Sequence, residues 1–346
     1  MGTKKTLLLV AFAMLFAACN KEDSNTIDAS EIRNQISNNV NLGNNLLLNI
    51  YNYEDDYNYA NYYYNNDGSL DEFWASTMSE TIFIGKFNYS GNKTKISVVE
   101  DIYDEEDTDI STIKVLPEFN SNGFLSKITI EEKIVEEYHG EKITATISDN
   151  YSLSYNSNKN LVAIVEKYKI SGSYMGVTQN ETITINTNIN WENGCAVSST
   201  SEATNGKYKT KRTATLTYNG QNPLYQNTFA LNEICNIYYL TELQMVGLIG
   251  KGTSKLPMKY SYKTTGIDES GPLNESNSYD WDIELNDDNT VAYELDYEFD
   301  YARATNNLTP TKKLSAKKKL PTKQLQEKLR NQAKINVYNK LINKEN

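Results

Sequence analysis

Residues 182–191 read TITINTNINW, and their alternation decides the fold class. Ile183, Ile185, Ile189 and Trp191 share one parity, while Thr182, Thr184, Asn186, Asn188 and Asn190 share the other. A period of two sets one face of a strand on a core and leaves the other in water. Residues 291–301, VAYELDYEFDY, repeat the pattern. Val291, Tyr293, Leu295, Tyr297, Phe299 and Tyr301 alternate with Ala292, Glu294, Asp296, Glu298 and Asp300. Such strands suit an antiparallel sheet that is wet on one side.

Turn chemistry recurs between the strands. YYYNNDGSL (62–70), FNYSGNKTKI (87–96), FNSNGFLSKI (119–128), LSYNSNKNLVAI (153–164) and LNDDNTVAY (285–293) share one plan. An aromatic or apolar strand end meets an Asn, Asp or Gly pair, and a new apolar strand follows. Those residues supply the positive φ of tight hairpins. Spacing between the copies is irregular, which predicts hairpins of varying length rather than a solenoid. The 26 tyrosines fit a half-buried sheet, with rings over apolar neighbours and hydroxyls in water. The expected fold is all-β: a long antiparallel meander of hairpins over 31–310, curled or barrel-like. One short helix is expected at 238–249 (YYLTELQMVGLI), and 28–48 reads as a weak helix or a loop.

The N-terminus sets the compartment. Lys4 and Lys5 precede a nearly continuous apolar run from Thr6 to Ala18. That run is shorter than the roughly 20 residues a spanning helix needs, and it has the parts of a secretory signal. Ala17-Ala18-Cys19 resembles the bacterial lipobox, although Phe16 departs from the Leu or Val usual at its place. The resemblance implies a type II signal peptide over 1–18 and diacylglycerol on Cys19. Residues 19–30 would then form a lipidated tether, and two or more acyl chains anchor stably. Lys21, Glu22 and Asp23 resemble the export signal that routes Bacteroidota lipoproteins to the outer face of the outer membrane; a plain solvated tether uses the same residue types.

The whole chain of 346 residues carries a net charge of -11, unevenly spread. Residues 311–346 hold eleven Lys or Arg against Glu327 and Glu345, a net of +9, so residues 1–310 carry -20. An acidic body argues against nucleic acid. The basic tail has helical spacing at Leu325, Leu329, Ala333, Val337 and Leu341, and Glu294, Asp296, Glu298 and Asp300 would form one acidic face for it to dock on; anionic lipid headgroups are an alternative target, and a disordered solubilising tail fits the sequence equally. With Cys19 acylated, Cys195 and Cys235 remain. An oxidising compartment permits one disulfide between them, and two separate buried thiols satisfy the sequence equally.

LTYNGQNPLY (216–225), the GKGTSKLP segment (250–257) and the closing YDWDIELNDDNTVAYELDYEF (279–299) resemble a family of Bacteroidota lipoproteins. That family is described as having a porin-like β-meander fold and no assigned activity. Its motifs fall on Tyr218, Asn219 and Asn222, on Gly250, Lys251, Gly252, Leu256 and Pro257, and on 286–289. The resemblance spans roughly 80–300, implies the fold, and brings no catalytic residues.

No constellation specifies a reaction, so no catalytic residue, metal site or cofactor is expected. GLIGKGTSK (247–255) has Gly252 where a phosphate loop needs Ser or Thr, which favours a simple turn. His139, the only histidine, lies at a hairpin tip. The acidic runs 103–109 and 286–289 lack the ligand spacing of a calcium loop. The expected function is a lipid-anchored, surface-facing outer-membrane lipoprotein with a non-enzymatic binding or structural role towards a glycan or an envelope or host protein. The alternatives are a secreted carboxylate-dependent polysaccharide hydrolase and a true membrane barrel.

Overall fold

The computed structural model describes most of residues 41–303. Residues 1–40 and 304–346 lie outside it, as do 43–44, 53–56, 65–69, 77–81, 89–94, 100–109, 123, 139–140, 175–176, 222–228, 236–243, 245–246, 269–270, 288 and 296. Cys19, Lys21, Glu22, Asp23, His139 and the basic tail therefore fall outside the described residues.

The fold is mostly antiparallel β. Strands β1 (Asn41–Leu42), β2 (Asn45–Asn52), β3 (Tyr57–Tyr64), β4 (Leu70–Ser76), β5 (Ile82–Asn88) and β6 (Lys95–Val99) come first. The long strands follow: β7 (Ile110–Phe119), β8 (Leu125–Tyr138), β9 (Glu141–Tyr155), β10 (Leu161–Tyr174), β11 (Val177–Glu192), β12 (Cys195–Thr204) and β13 (Lys209–Tyr218). After helix α1 (Phe229–Cys235) come β14 (Pro257–Asp268), β15 (Gly271–Asp280), β16 (Ile283–Leu285), β17 (Val291–Glu294) and β18 (Tyr297–Arg303). Each strand from β2 to β14 pairs with the next, and β1 adds to β2. The sheet curls until β18 meets β2, with Tyr297 opposite Asn52 and Arg303 opposite Asn45.

The opening alternation is realised in β11. Ile183, Ile185 and Ile189 are buried, while Thr182, Asn186, Asn188 and Asn190 are exposed. Burial gathers inward-facing residues of β2, β8, β9, β10, β13, β14 and α1 into one main cluster that includes Leu46, Ile50, Ile128, Tyr151, Ile164, Leu216, Tyr260 and Leu231. Ile143, Ile147, Tyr168, Ile170, Ile183, Ile185 and Ala203 form a second cluster beside Ile134 and Val177.

The recurrent turn plan has a specific mechanical content. Asn120, Asn156 and Asn205 each accept two backbone N–H bonds through their side-chain oxygen, closing the loops after β7, β9 and β12. Asn193 and Gly194 both take positive φ, 51° and 77°, which suits the two-residue hairpin between β11 and β12. The aromatic strand ends tie neighbouring strands together inside. Tyr64 donates to the Leu47 carbonyl at 2.6 Å, Tyr155 to Leu125 at 2.6 Å, Trp191 to Leu161 at 2.7 Å and Tyr218 to Ala196 at 2.7 Å. The three tyrosine hydroxyls therefore do not rest in water as the composition suggested; with the Trp191 indole N–H they satisfy backbone at the strand ends.

Two expectations are corrected. Asn45–Asn52 is a strand rather than the end of a leader helix, because Leu46, Leu47 and Ile50 are all needed in the core. A helix stands at Phe229–Cys235, where the sequence reading placed none; most of the expected helix at 238–249 lies outside the described residues, Gln244 within it is helical, and Gly247 with φ 79° opens a strap. The 291–301 strand is broken in two: Glu294 pairs with Tyr297 across a tight reversal at Leu295, whose φ is 56°. Glu294 is consequently buried while Glu298 and Asp300 are exposed, so these do not form a one-faced acidic ladder.

Candidate functional site

Residues 247–256, the segment with phosphate-loop spacing, form a strap across the ends of successive hairpins. Leu248 accepts from Leu125 N at 2.9 Å, Lys251 N donates to Lys159 at 3.1 Å, Ser254 N to Gly194 at 2.9 Å and Leu256 N to Gln221 at 3.2 Å. Its chemistry is backbone pairing, and it closes one end of the core. Cys195 lies under the strap with its Sγ 3.5 Å from the Ser254 hydroxyl. Cys195 and Cys235 are both free and buried, the unbridged of the two arrangements the sequence allowed. Burial pushes the Cys235 thiol pKa well up, with Arg212 opposing it.

Helix α1 lies against the inner face of β11–β13 and its two ends are held by side chains of the sheet. At the N-terminus, buried Glu294 accepts from Phe229 N at 3.1 Å and from the Trp281 indole N–H at 3.1 Å. At the C-terminus, Ser199 donates to the Ile234 carbonyl at 2.5 Å. Arg212 Nη1 and the Tyr260 hydroxyl both donate to the Glu233 carbonyl, at 3.5 and 3.3 Å. A carboxylate at the first turn and a guanidinium at the last also match the helix dipole.

The same residues build a recess. Tyr260 and Tyr262 are two apart on β14 and so share the inner face; Tyr260 pairs with Tyr279 of β15, and Tyr262 with Asn277. The Tyr260 ring lies 5.1 Å from Tyr279 and 6.3 Å from Trp281, and Tyr279 stacks on Trp281 at 6.1 Å. The Arg212 guanidinium sits 5.0 Å over Tyr262 and 5.9 Å over Tyr260, and donates to the Tyr260 hydroxyl. Tyr279 donates to the Glu233 carboxylate at 3.4 Å. Desolvation pushes the Glu233 pKa up, against the lowering pull of Arg212 and of the Tyr279 bond. Desolvation likewise raises the Tyr260 and Tyr279 hydroxyls.

What opens this cluster to water is a gap in the wall. β15 pairs with β14 at all ten of its positions. At Trp281–Asp282 the chain changes partner, Trp281 N donating back to Met258 while Asp282 accepts from Leu295 N. The β17–β18 hairpin stops there, so among the described residues β15 has no strand on its other side, and the sheet is curled rather than a closed barrel. Residues 274–278 are exposed, and Tyr262, Tyr279 and Glu233 are half-buried. The resulting slit shows two tyrosine rings, a carboxylate and the Asn277 amide.

The outer face has the opposite character. Lys167, Lys169, Lys209, Lys211, Lys259 and Lys263 are exposed there among Thr, Ser and Asn, and Glu202 pairs with Lys209 at 3.3 Å and Lys211 at 3.4 Å. Each lysine at the middle of a bilayer would cost about 2–4 kcal/mol, so this face suits water. Sequence reading did not single out Arg212, Glu233 or the Tyr260–Trp281 set. The available signal was the aromatic spacing of two in YSY (260–262) and YDW (279–281).

No family model and no curated protein matches the chain. Among solved structures, a porin-like protein from Bacteroides uniformis is similar at 14% identity with a TM-score of 0.24, over 57% of this chain and 92% of the other.

Proposed function

We propose that this chain is a surface-facing outer-membrane protein, anchored by lipid on Cys19, whose body binds a glycan without transforming it. The supporting observation is the slit with half-buried Tyr262 and Tyr279 beside Glu233 and Asn277. Sugar rings present C–H faces that pack on aromatic rings, and their hydroxyls bond to amides and carboxylates, so this lining matches their chemistry. The water-facing exterior agrees with a tethered domain, and the N-terminal sequence motifs supply the tether and its address.

Calorimetric titration of a panel of neutral oligosaccharides tests the reading. Tyr262→Ala and Tyr279→Ala should each weaken binding at least about tenfold, the loss of one packed aromatic contact. Binding that survives both substitutions in folded protein removes the recess from the account.

One observation favours hydrolysis as a second reading. Burial raises the pKa of the Glu233 carboxyl, the direction a general acid needs, and Tyr279 lies against it at 3.4 Å. Release of reducing ends from a polysaccharide, lost in Glu233→Gln with binding retained, would establish that reading over the first.

A further inference from the structure

Among the described residues the slit leaves one edge of β15 without a partner strand, and its backbone has a definite polarity. Trp281 N bonds to Met258 of β14, and residues at odd positions from Gly271 to Tyr279 share that orientation towards β14. The even positions, Pro272, Asn274, Ser276, Ser278 and Asp280, therefore turn their backbone groups to the open side. Pro272 has no N–H to strand there, which is where an edge proline belongs. Ser278 N confirms the direction: its bond goes to the side chain of its own neighbour, Asn277 Oδ1, at 2.8 Å.

We propose that this edge pairs with the same edge of a second copy of the chain, antiparallel about Ser276. In that register Ser276 faces its own counterpart and Asn274 faces Ser278 in hydrogen-bonded pairs, Ser278 N giving up its bond to Asn277 Oδ1, while Pro272 faces Asp280 and accepts a single bond from its N–H. The odd residues fall in the closer, non-hydrogen-bonded pairs, where side chains touch. There Leu273 meets Tyr279, an aliphatic–aromatic pair, and Glu275 meets Asn277, so the only charge in 273–279 faces a neutral amide. A parallel arrangement or a shift that puts Glu275 opposite Glu275 brings like charges together. The edge has no lysine and no bulge, and its one guarding proline, Pro272, lies at its first open-side position. A single ladder of this length buries less than the roughly 1,200 Å² of a stable complex, so the dimer is weak and concentration-dependent in solution.

Sedimentation equilibrium of the mature chain carrying Cys19→Ser, over a wide concentration range, tests this. A monomer–dimer equilibrium is expected. Ser276→Pro removes an open-side N–H without touching the β14 ladder, and should give monomer with an unchanged melting temperature. Asn277→Glu creates two symmetric like-charge pairs with Glu275 and should weaken association about tenfold, whereas Asn277→Lys should strengthen it by a similar factor. Monomer at every concentration overturns the proposal. So does a dimer indifferent to Ser276→Pro, or one that both Asn277 variants shift the same way. Should Ser276→Pro fail to fold, the opposed responses of the two Asn277 variants still decide. An edge that takes up an added extended peptide while the chain itself stays monomeric counts against self-pairing.

Discussion

Replacing Glu294 with alanine is expected to destabilise the fold by about 4 kcal/mol. The carboxylate is fully buried and receives the Phe229 backbone N–H and the Trp281 indole N–H, each at 3.1 Å. Truncation strands both donors in a dry core, at about 1–3 kcal/mol each. It also removes the negative charge from the first turn of α1, worth up to about 2 kcal/mol where partly buried. Glu294→Gln keeps one acceptor oxygen but sets an amide N–H against one of the two donors, so about half the loss is expected. Glu298 belongs to the same hairpin but is exposed, and Glu298→Ala should change stability by less than about 0.5 kcal/mol. Urea unfolding followed by tryptophan fluorescence measures all three. A Glu294→Ala variant within about 1 kcal/mol of the parent would refute the clamp. So would a gain in stability, which is what relief of an exposed acidic ladder would give.

Other expected outcomes follow from individual contacts. Gly250 holds φ +78° in the strap, and a Cβ there would meet the Lys159 carbonyl at 2.9 Å; Gly250→Ala should cost about 2 kcal/mol in a thermal melt. Glu233 has its folded-state pKa raised above the ordinary 4.5. The unfolded chain therefore releases this proton first, so the contribution of Glu233 to stability is fully present below about pH 4.5 and declines as pH rises through the folded value. Melting temperatures across pH 4 to 8 should show that decline in the parent and lose it in Glu233→Gln. Both cysteines of the body are free and buried, so a thiol reagent should label neither in the native protein and both after denaturation; no label after denaturation would mean a bridge.

The sequence carried the strands well where neighbouring residues had contrasting polarity. TITINTNINW became β11 with its inner and outer faces as read, and the described Asn-rich turns at 120–124, 156–160 and 286–290 fell where the pattern put them. It misled at 291–301 because a reversal preserves parity poorly: Leu295 in a left-handed conformation turns the chain, and Glu294 is drawn inward by donors 13 and 65 residues away. Residues 45–48 misled for a similar reason, since three consecutive leucines carry no period at all. The recess was invisible because its members come from three strands and a helix, and the half-buried Tyr262 and Tyr279 are distinguished from the core tyrosines only by the absence of a strand beside β15. Nothing local to Tyr279 encodes that absence; it follows from where the β17–β18 hairpin ends.

A body with lysines outside and its leucines and aromatics inside requires a separate attachment to be held at a membrane. Detergent phase partition of the protein from cells tests that most directly. The account predicts that the parent chain enters the detergent phase, and that a chain made without residues 1–18 and carrying Cys19→Ser partitions wholly to the aqueous phase, still folded. Retention of that folded protein, lacking both leader and lipid, in the detergent phase would contradict it, since the β body itself would then be holding the membrane.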